Sequence, residues 1–218
     1  MFKAVLFDMD GVLADTESFY NRRWAAYLAE VLPDYAGPWD FAGSNDVAIW
    51  ETIVPGDAML RNRLHAGYDR YRAEHPEDYR ALGNPEAPAV FACLKDAGML
   101  VGIASSSEVA MIERMMRETG LVGLVDAYVS GHDVEHHKPA PDVYLACMEQ
   151  LGVRPQECVV VEDSATGIAA GVAAGAYVVA LGQYVAPTTD QSAADLCISR
   201  LRELPVVLEK MSSVFGTK

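Results

Sequence analysis

Near its start the chain reads Val5-Leu6-Phe7-Asp8-Met9-Asp10-Gly11-Val12-Leu13, a run of apolar, β-prone residues that turns acidic within one position. Asp8 and Asp10 are two residues apart, so on an extended chain both side chains project to the same side. Neighbouring carboxylates repel each other unless a positive charge offsets them, and hard oxygen ligands of this kind suit Mg²⁺. Gly11 allows the turn that ends the strand, so the same residues also fit a strand that simply ends in an acidic turn.

The bulk properties limit the classes of protein that need to be considered. At 218 residues the chain is long enough for one large domain or for a core domain with an insertion. Its formal net charge of −14 disfavours nucleic acids and anionic membranes as partners. No run is long and apolar enough for a membrane span, and no signal-peptide pattern is present. The four cysteines lack C-x-x-C spacing and are expected as buried thiols. We predict a cytoplasmic protein.

A helical pattern follows the first motif. Apolar residues recur at intervals of three and four over residues 20–31, 47–54 and 60–71, and breaks rich in Gly and Pro separate these segments. No strand pattern occurs in this part of the chain. We therefore predict that residues 16–83 form an all-helical domain.

Strands and helices alternate from residue 84 onward. The pattern predicts strands at 100–104, 127–130, 158–161 and 177–181, with a helix after each of the first three. Such alternation favours a parallel sheet that is covered by helices on both faces. The predicted fold is therefore an α/β, Rossmann-like core of residues 1–15 and 84–218, into which the helical segment 16–83 is inserted as a cap.

Polar residues that follow the strands are the candidates for a functional site, because ligands bind beyond the carboxyl ends of strands in open parallel sheets. Asp8 and Asp10 follow the first strand. Ser105-Ser106-Ser107 follows the strand at 100–104, where hydroxyl groups and backbone N–H groups at a helix start suit a phosphate oxygen. Ser107 can also be a plain helix cap, and the two interpretations can hold together.

Two further polar groups fall at the same edge. Lys138 precedes a proline just before a predicted helix, where it is expected to be extended and to reach the sheet edge. Glu162 and Asp163 end the strand at 158–161 and begin a helix of small residues. Acids at a helix start often serve only as caps, but beside a second acid pair they also suit a metal ion.

These residues resemble, in order, the four motifs of the haloacid dehalogenase superfamily. The matching positions are Asp8-x-Asp10, Ser105, Lys138 and Glu162-Asp163. The spellings Lys138-Pro139-Ala140-Pro141-Asp142 and Glu162-Asp163-Ser164 are similar to those of the subgroup that contains β-phosphoglucomutase and sugar-phosphate phosphatases. Members of that subgroup carry a helical cap between the first two motifs, and the resemblance extends over essentially the whole chain.

The resemblance implies a role for each motif residue. Asp8 is the implied nucleophile, which forms an aspartyl-phosphate. Asp10 is the implied general acid and then general base. Ser105 and the backbone N–H of Ser106 are expected to bind phosphoryl oxygens, and Lys138 is expected to neutralise charge between Asp8 and the phosphate.

The resemblance also implies a Mg²⁺ site. The Asp8 carboxylate, the Asp10 backbone carbonyl and Asp163 are the implied ligands, with help from Glu162. These are hard oxygen donors, as Mg²⁺ requires.

Other branches of the superfamily fit less well. Dehalogenases lack the carboxylate that Asp10 supplies. Phosphonoacetaldehyde hydrolases need a cap lysine, and no lysine occurs between Lys3 and Lys95. Mutases use a cap arginine after a Gly-x-Ser-like stretch and a histidine in the first cap helix, whereas this chain has Gly43-Ser44-Asn45-Asp46 and Tyr20 at those places.

We therefore predict a Mg²⁺-dependent phosphoric monoester hydrolase that acts on a small phosphorylated metabolite, such as a sugar phosphate. A β-phosphoglucomutase-type mutase is the alternative. A non-catalytic binding or regulatory protein is disfavoured, since no motif residue is missing. Arg22 and Arg23 are the cap cations nearest the first motif and are expected to contact the substrate. The expected state is a monomer or weak dimer with no nucleic-acid or membrane partner.

Overall fold

A computed structural model describes residues 1–37, 46–186 and 188–215 of the chain. The chain separates into two compact units. One contains Met1–Asp15 and the chain from Tyr79 onward, and the other is Thr16–Asp78. The second boundary lies a few residues earlier than the sequence pattern placed it, because Tyr79 is fully buried in the apolar core of the first unit.

The unit Thr16–Asp78 is built from helices α1 (Thr16–Val31), α2 (Asp46–Ile53) and α3 (Ala58–Glu74). Asp57 caps α3, since its side chain accepts a hydrogen bond from the Leu60 backbone N–H at 2.9 Å. The core is aromatic: the rings of Trp24 and Tyr68 stack with centroids 3.7 Å apart, and Trp50 packs edge-on against Trp24. These contacts explain the helical period of the apolar residues.

The other unit is organised around a six-stranded parallel sheet, which confirms the predicted fold class. Its strand order is β3-β2-β1-β4-β5-β6. The strands are β1 (Ala4–Phe7), β2 (Leu100–Ser105), β3 (Ala127–Ser130), β4 (Cys158–Glu162), β5 (Tyr177–Leu181) and β6 (Leu196–Ile198). The first strand of the chain therefore lies in the middle of the sheet, between β2 and β4.

Helices cover both faces of this sheet. They are α4 (Tyr79–Leu82), α5 (Ala87–Asp96), α6 (Val109–Thr119), α7 (Asp142–Leu151), α8 (Ala165–Ala173) and α9 (Leu204–Phe215). Val5 and Phe7 belong to one apolar cluster with residues of α5, α6 and α9, whereas Ala4 and Leu6 belong to a second cluster with residues of α7 and α8. Burial on both faces explains why β1 is a continuous apolar run.

Two secondary expectations were tested. Cys147 and Cys158 are buried, but Cys93 and Cys197 are exposed, so the expectation of four buried thiols was wrong. Cys197 is exposed because β6 is an edge strand on which it points outward between two less exposed residues. Across the described ranges, every helix is too short or too polar to cross a bilayer.

Candidate active site

The sheet brings the sequence motifs to one edge. Phe7 of β1 lies in register with Ile103 of β2 on one side and with Val161 of β4 on the other. The residues that follow these three positions therefore emerge together at the carboxyl ends of adjacent parallel strands. Asp8, Ser105 and Glu162 emerge there, and all three are buried.

Lys138 joins this edge from the loop between β3 and α7. Its Nζ lies 2.5 Å from Asp8 Oδ1 and 2.7 Å from Glu162 Oε1, and it also donates to the Ala104 carbonyl at 3.2 Å. Only 7% of the Lys138 side chain is exposed, so these bonds are shielded from water. A buried ammonium group is thus shared between the carboxylate that follows β1 and the carboxylate of the last residue of β4.

Glu162 is held by donors on both of its oxygens. Oε1 accepts from Lys138 and, at 2.8 Å, from the Tyr144 hydroxyl. Oε2 accepts from the backbone N–H groups of Asp163 and Ser164 at 3.0 and 3.1 Å, and from the Ser164 hydroxyl at 3.1 Å. Five donors therefore fix the orientation of this carboxylate, as a fully buried charge requires.

Burial and mutual charge set the protonation of the cluster. Burial would raise the pKa of Glu162, but Lys138 and the hydrogen bonds from Tyr144 and Ser164 hold it below its ordinary value. Burial lowers the pKa of Lys138, but Asp8 and Glu162 raise it well above its ordinary value. Lys138 therefore stays an ammonium and Glu162 a carboxylate.

Asp8 behaves differently from Glu162. Burial raises its pKa, Lys138 offsets part of that rise, and Glu162 and Asp10 add to it, so that the pKa of Asp8 is about 8. Burial is the main cause of this rise, and repulsion from the neighbouring carboxylates adds to it. A further positive charge at the cluster would favour the ionised Asp8.

Three carboxylates offer a place for such a charge. Asp8, Glu162 and Asp163 present oxygen atoms that all lie within 4.8 Å of one another, and all three residues are buried. The donor set is of the hard, anionic kind that divalent cations prefer. The cluster can therefore hold a divalent metal ion.

Two glycines leave space for the carboxylates of Asp163 and Glu162, and a glutamine holds the backbone of Asp163. A Cβ atom on Gly11 would lie 2.0 Å from Asp163 Oδ2, and one on Gly167 would lie 1.6 Å from Glu162 Oε1. Gln191 donates from Nε2 to the Asp163 carbonyl at 2.8 Å and to the Leu181 carbonyl at 3.1 Å. Asp163 is thus packed against one glycine and tied through its backbone to the end of β5.

The serine motif lies at the end of β2. Ser105 is fully buried and its Oγ accepts from the Ser107 backbone N–H at 3.0 Å, while Ser106 is exposed. Ser107 does not cap α6, because the capping position is Glu108, so the predicted cap at Ser107 was wrong. The Ser107 hydroxyl instead donates to Asp10 Oδ2 at 2.7 Å. This bond orients the carboxylate that was predicted to act as general acid and base.

The predicted substrate residues of the helical unit have different environments. Arg22 is exposed, whereas Arg23 is buried and pairs with Glu77 at 2.8 Å. Arg23 also donates to the Tyr68 hydroxyl and to the His75 carbonyl. A substrate contact by either arginine stays a prediction.

The stretch that was compared with the mutase arginine site lies mostly outside the described residues. Gly43, Ser44 and Asn45 are not among them, and Asp46 is the first residue of α2. The mutase comparison at this stretch therefore rests on sequence.

The sequence did not single out Tyr144, Gln191 or the role of Ser107. Tyr144 follows Lys138 by six positions and reads as an ordinary apolar-face residue of α7. Gln191 lies in a polar loop with no periodic pattern. Ser107 belonged to a recognised motif, but its bond to Asp10 joins residues 97 positions apart.

A comparison of the sequence with protein families agrees with the geometry and the motifs. A family model described as haloacid dehalogenase-like hydrolase matches residues 2–175. The chain therefore belongs to the haloacid dehalogenase-like hydrolases, which confirms the family and the enzyme class predicted from the sequence.

Named relatives include both activities that were considered. The chain is 33% identical over 180 residues to hexitol phosphatase B of Escherichia coli (strain K12), covering 78% of this chain and 79% of the relative. It is 30% identical over 239 residues to a β-phosphoglucomutase of Mycobacterium bovis, covering 93% and 91%. The crystal structure of β-phosphoglucomutase from Clostridium difficile matches with a TM-score of 0.78 and 21% identity over 99% of this chain and 100% of that chain, which supports the fold.

Proposed function

We propose that this protein is a Mg²⁺-dependent phosphatase that hydrolyses a small phosphorylated metabolite, a sugar phosphate or a similar compound, through a phosphorylated Asp8. The observation that carries the proposal is the convergence on Asp8 of a buried lysine and two further carboxylates. Membership of the hydrolase family and similarity to a hexitol phosphatase support the same reaction.

The residues of the site suit two successive transfers. In the first, an Asp8 oxygen attacks phosphorus, the bond from phosphorus to the leaving oxygen breaks, and Asp10 gives its proton to that oxygen. In the second, Asp10 takes a proton from water, which attacks phosphorus and releases phosphate and free Asp8. Lys138 keeps a positive charge beside Asp8 throughout both steps. Ser105 and the backbone N–H of Ser106, which lie at the end of β2, would bind the phosphoryl oxygens.

The cation has a proposed set of protein ligands. The carboxylates of Asp8 and Asp163 and the backbone carbonyl of Asp10 would hold Mg²⁺, and Glu162 would support them. When bound, the ion supplies positive charge to the transferring phosphoryl group. The mutual closeness of the Asp8, Glu162 and Asp163 oxygens supports this assignment.

The helical unit is proposed to act as the cap that selects the substrate. Its exposed Arg22 is the better candidate for a contact with substrate, because Arg23 is already bound to Glu77 inside the unit. The cytoplasm and a monomeric or weakly dimeric state are further proposals that come from the sequence.

A phosphomutase is the second candidate, favoured by the 30% identity to a β-phosphoglucomutase. Against it stand Asp46 and Tyr20, which occupy the places of the mutase arginine and histidine. The two activities are separated by comparing the rate at which hexose 1- and 6-phosphates interconvert with the rate at which phosphate is released. Faster interconversion would favour the mutase.

The test of the proposed function is phosphate release from a panel of sugar and sugar-alcohol phosphates in the presence of Mg²⁺. Asp8→Asn keeps the shape of the side chain and removes the attacking charge, so it should abolish turnover. Asp133→Asn, which changes an exposed aspartate of the same unit, is the matched control and should retain full activity. Near-normal turnover by the Asp8 variant would show that the reaction runs through another group.

A further inference from the structure

Tyr144 lies against the two charged residues that flank Asp8. It is fully buried on α7, and its hydroxyl donates to Glu162 Oε1 at 2.8 Å. That same oxygen accepts from Lys138 at 2.7 Å. The centre of the Tyr144 ring is 4.8 Å from Lys138 Nζ, within the range of a cation–π contact. One side chain thus contacts both partners of the ion pair.

The shared oxygen makes the position of Lys138 depend on Tyr144. Lys138 is divided between Asp8 and Glu162, which compete for the same ammonium group. A second donor on Glu162 Oε1 satisfies part of that oxygen's hydrogen-bonding capacity and so weakens its pull on the lysine. The ring meanwhile occupies one side of Nζ and shields it from water.

The helix that carries Tyr144 fixes the place from which its hydroxyl donates to Glu162. The position of Tyr144 in the first turn of α7, which begins at Asp142, fixes it to a helix that packs on the sheet. A rigid donor in this place can set the orientation of its acceptor.

We propose that Tyr144 is a positioning residue for phosphoryl transfer, whose hydroxyl and ring hold Glu162 and Lys138 so that the lysine stays directed at Asp8. The kinetic part of this inference rests on the proposed phosphatase function. The structural part, that Lys138 moves when Tyr144 loses its hydroxyl, does not.

Tyr144→Phe removes the hydroxyl and keeps the ring. With p-nitrophenyl phosphate and Mg²⁺, we expect kcat to fall about tenfold, the effect of one hydrogen bond to a charged group. KM should change by less than about twofold, because Lys138 acts most strongly on charge that moves in the transition state. Tyr144→Met removes the ring as well and should lower kcat further.

Tyr128→Phe is the matched control. Its hydroxyl makes the same kind of bond, to Glu113 Oε1 at 2.7 Å, between β3 and α6. This variant should keep the wild-type kcat, and thermal melting of all variants will confirm that they are folded. A general effect of losing a tyrosine–carboxylate bond would appear equally in both phenylalanine variants.

A crystal structure of Tyr144→Phe supplies the readout that needs no activity. We expect the distance from Lys138 Nζ to Asp8 Oδ1 to lengthen from 2.5 Å to beyond about 3.2 Å. An unmoved lysine, or a kcat within about twofold of wild type in folded Tyr144 variants, would overturn the inference. If the wild type releases no phosphate but Lys138 moves in Tyr144→Phe, the proposed function fails, while the structural part of the inference, that Tyr144 positions Lys138, stands. If Tyr144→Phe does not fold, Tyr144→Met is measured in its place against the same limits.

Discussion

Gly11→Ala tests how the carboxylate of Asp163, a proposed metal ligand, is held. Gly11 has a backbone φ of +79°, a conformation that residues with a Cβ atom rarely adopt. An added Cβ would also lie 2.0 Å from Oδ2 and 2.5 Å from Cγ of Asp163. The substitution therefore has two separate effects, one on the backbone of the turn and one on the position of the Asp163 carboxylate.

The two effects have different magnitudes and different readouts. The left-handed backbone costs about 1 kcal/mol of unfolding free energy, which lowers Tm by about 2–4 °C in a protein of this size. The contact with Asp163 cannot be relieved without moving its carboxylate. Displacing a residue that supports a metal site weakens metal binding by about ten- to a hundredfold.

Gly98→Ala is the control that separates these effects. Gly98 has a nearly identical φ of +74°, but no described atom lies within 4 Å of the place of its Cβ. Both variants should therefore share the backbone cost when they are melted in the presence of EDTA, and Gly11→Ala should lose at least as much stability as Gly98→Ala. In a calorimetric titration with Mg²⁺, Gly98→Ala should bind like the wild type and Gly11→Ala at least about tenfold more weakly.

A Mg²⁺ affinity of Gly11→Ala equal to that of the wild type would refute this reasoning. That result would mean that Asp163 either relaxes freely around the new methyl group or does not bind the ion. If Gly98→Ala loses as much Mg²⁺ affinity as Gly11→Ala, the loss in both variants comes from general destabilisation of the protein.

Three further predictions concern the metal and the helical unit. Asp163→Ala should raise the Mg²⁺ concentration for half-maximal activity, and EDTA should abolish wild-type turnover; activity that survives EDTA contradicts the metal assignment. The pKa of metal-free Asp8 is about 8, so below pH 8 Asp8 must lose a proton when the metal ion binds. Calorimetry should therefore find that the affinity for Mg²⁺ falls by up to about tenfold per pH unit below pH 8 and is constant above it. Arg23→Leu removes the buried cation that pairs with Glu77 and should cost about 3–5 kcal/mol of stability in denaturant unfolding; a stable variant with a raised KM would favour the substrate role instead.

The grouping of the main site residues at one edge of the sheet could be predicted from the sequence for a simple physical reason. Strands that are buried on both faces appear as apolar runs, and the carboxyl ends of parallel strands meet at one edge. The polar residues after β1, β2 and β4 therefore had to lie near one another, wherever the intervening helices packed. Asp8, Ser105 and Glu162 follow this rule.

The supporting contacts could not be predicted in the same way. The bond from Arg23 to Glu77 joins residues 54 positions apart, and the sequence suggested a substrate contact for Arg23 with no sign of this ion pair. Tyr144 has the spacing of an ordinary core residue of α7, so the sequence pattern gave no indication of its hydrogen bond to Glu162. Hydrogen bonds between distant segments depend on packing details that no local pattern encodes.

The measurement that tests the central claim most directly is chemical trapping of the phosphorylated enzyme. Borohydride reduces an acyl phosphate to an alcohol, so reduction during turnover should convert Asp8 to homoserine, and mass spectrometry of the peptide that contains it will show the change. We predict that homoserine appears at position 8, in parallel with loss of activity and only when substrate and Mg²⁺ are both present. Turnover that continues under reduction with Asp8 unmodified, or homoserine at another aspartate, would contradict the account.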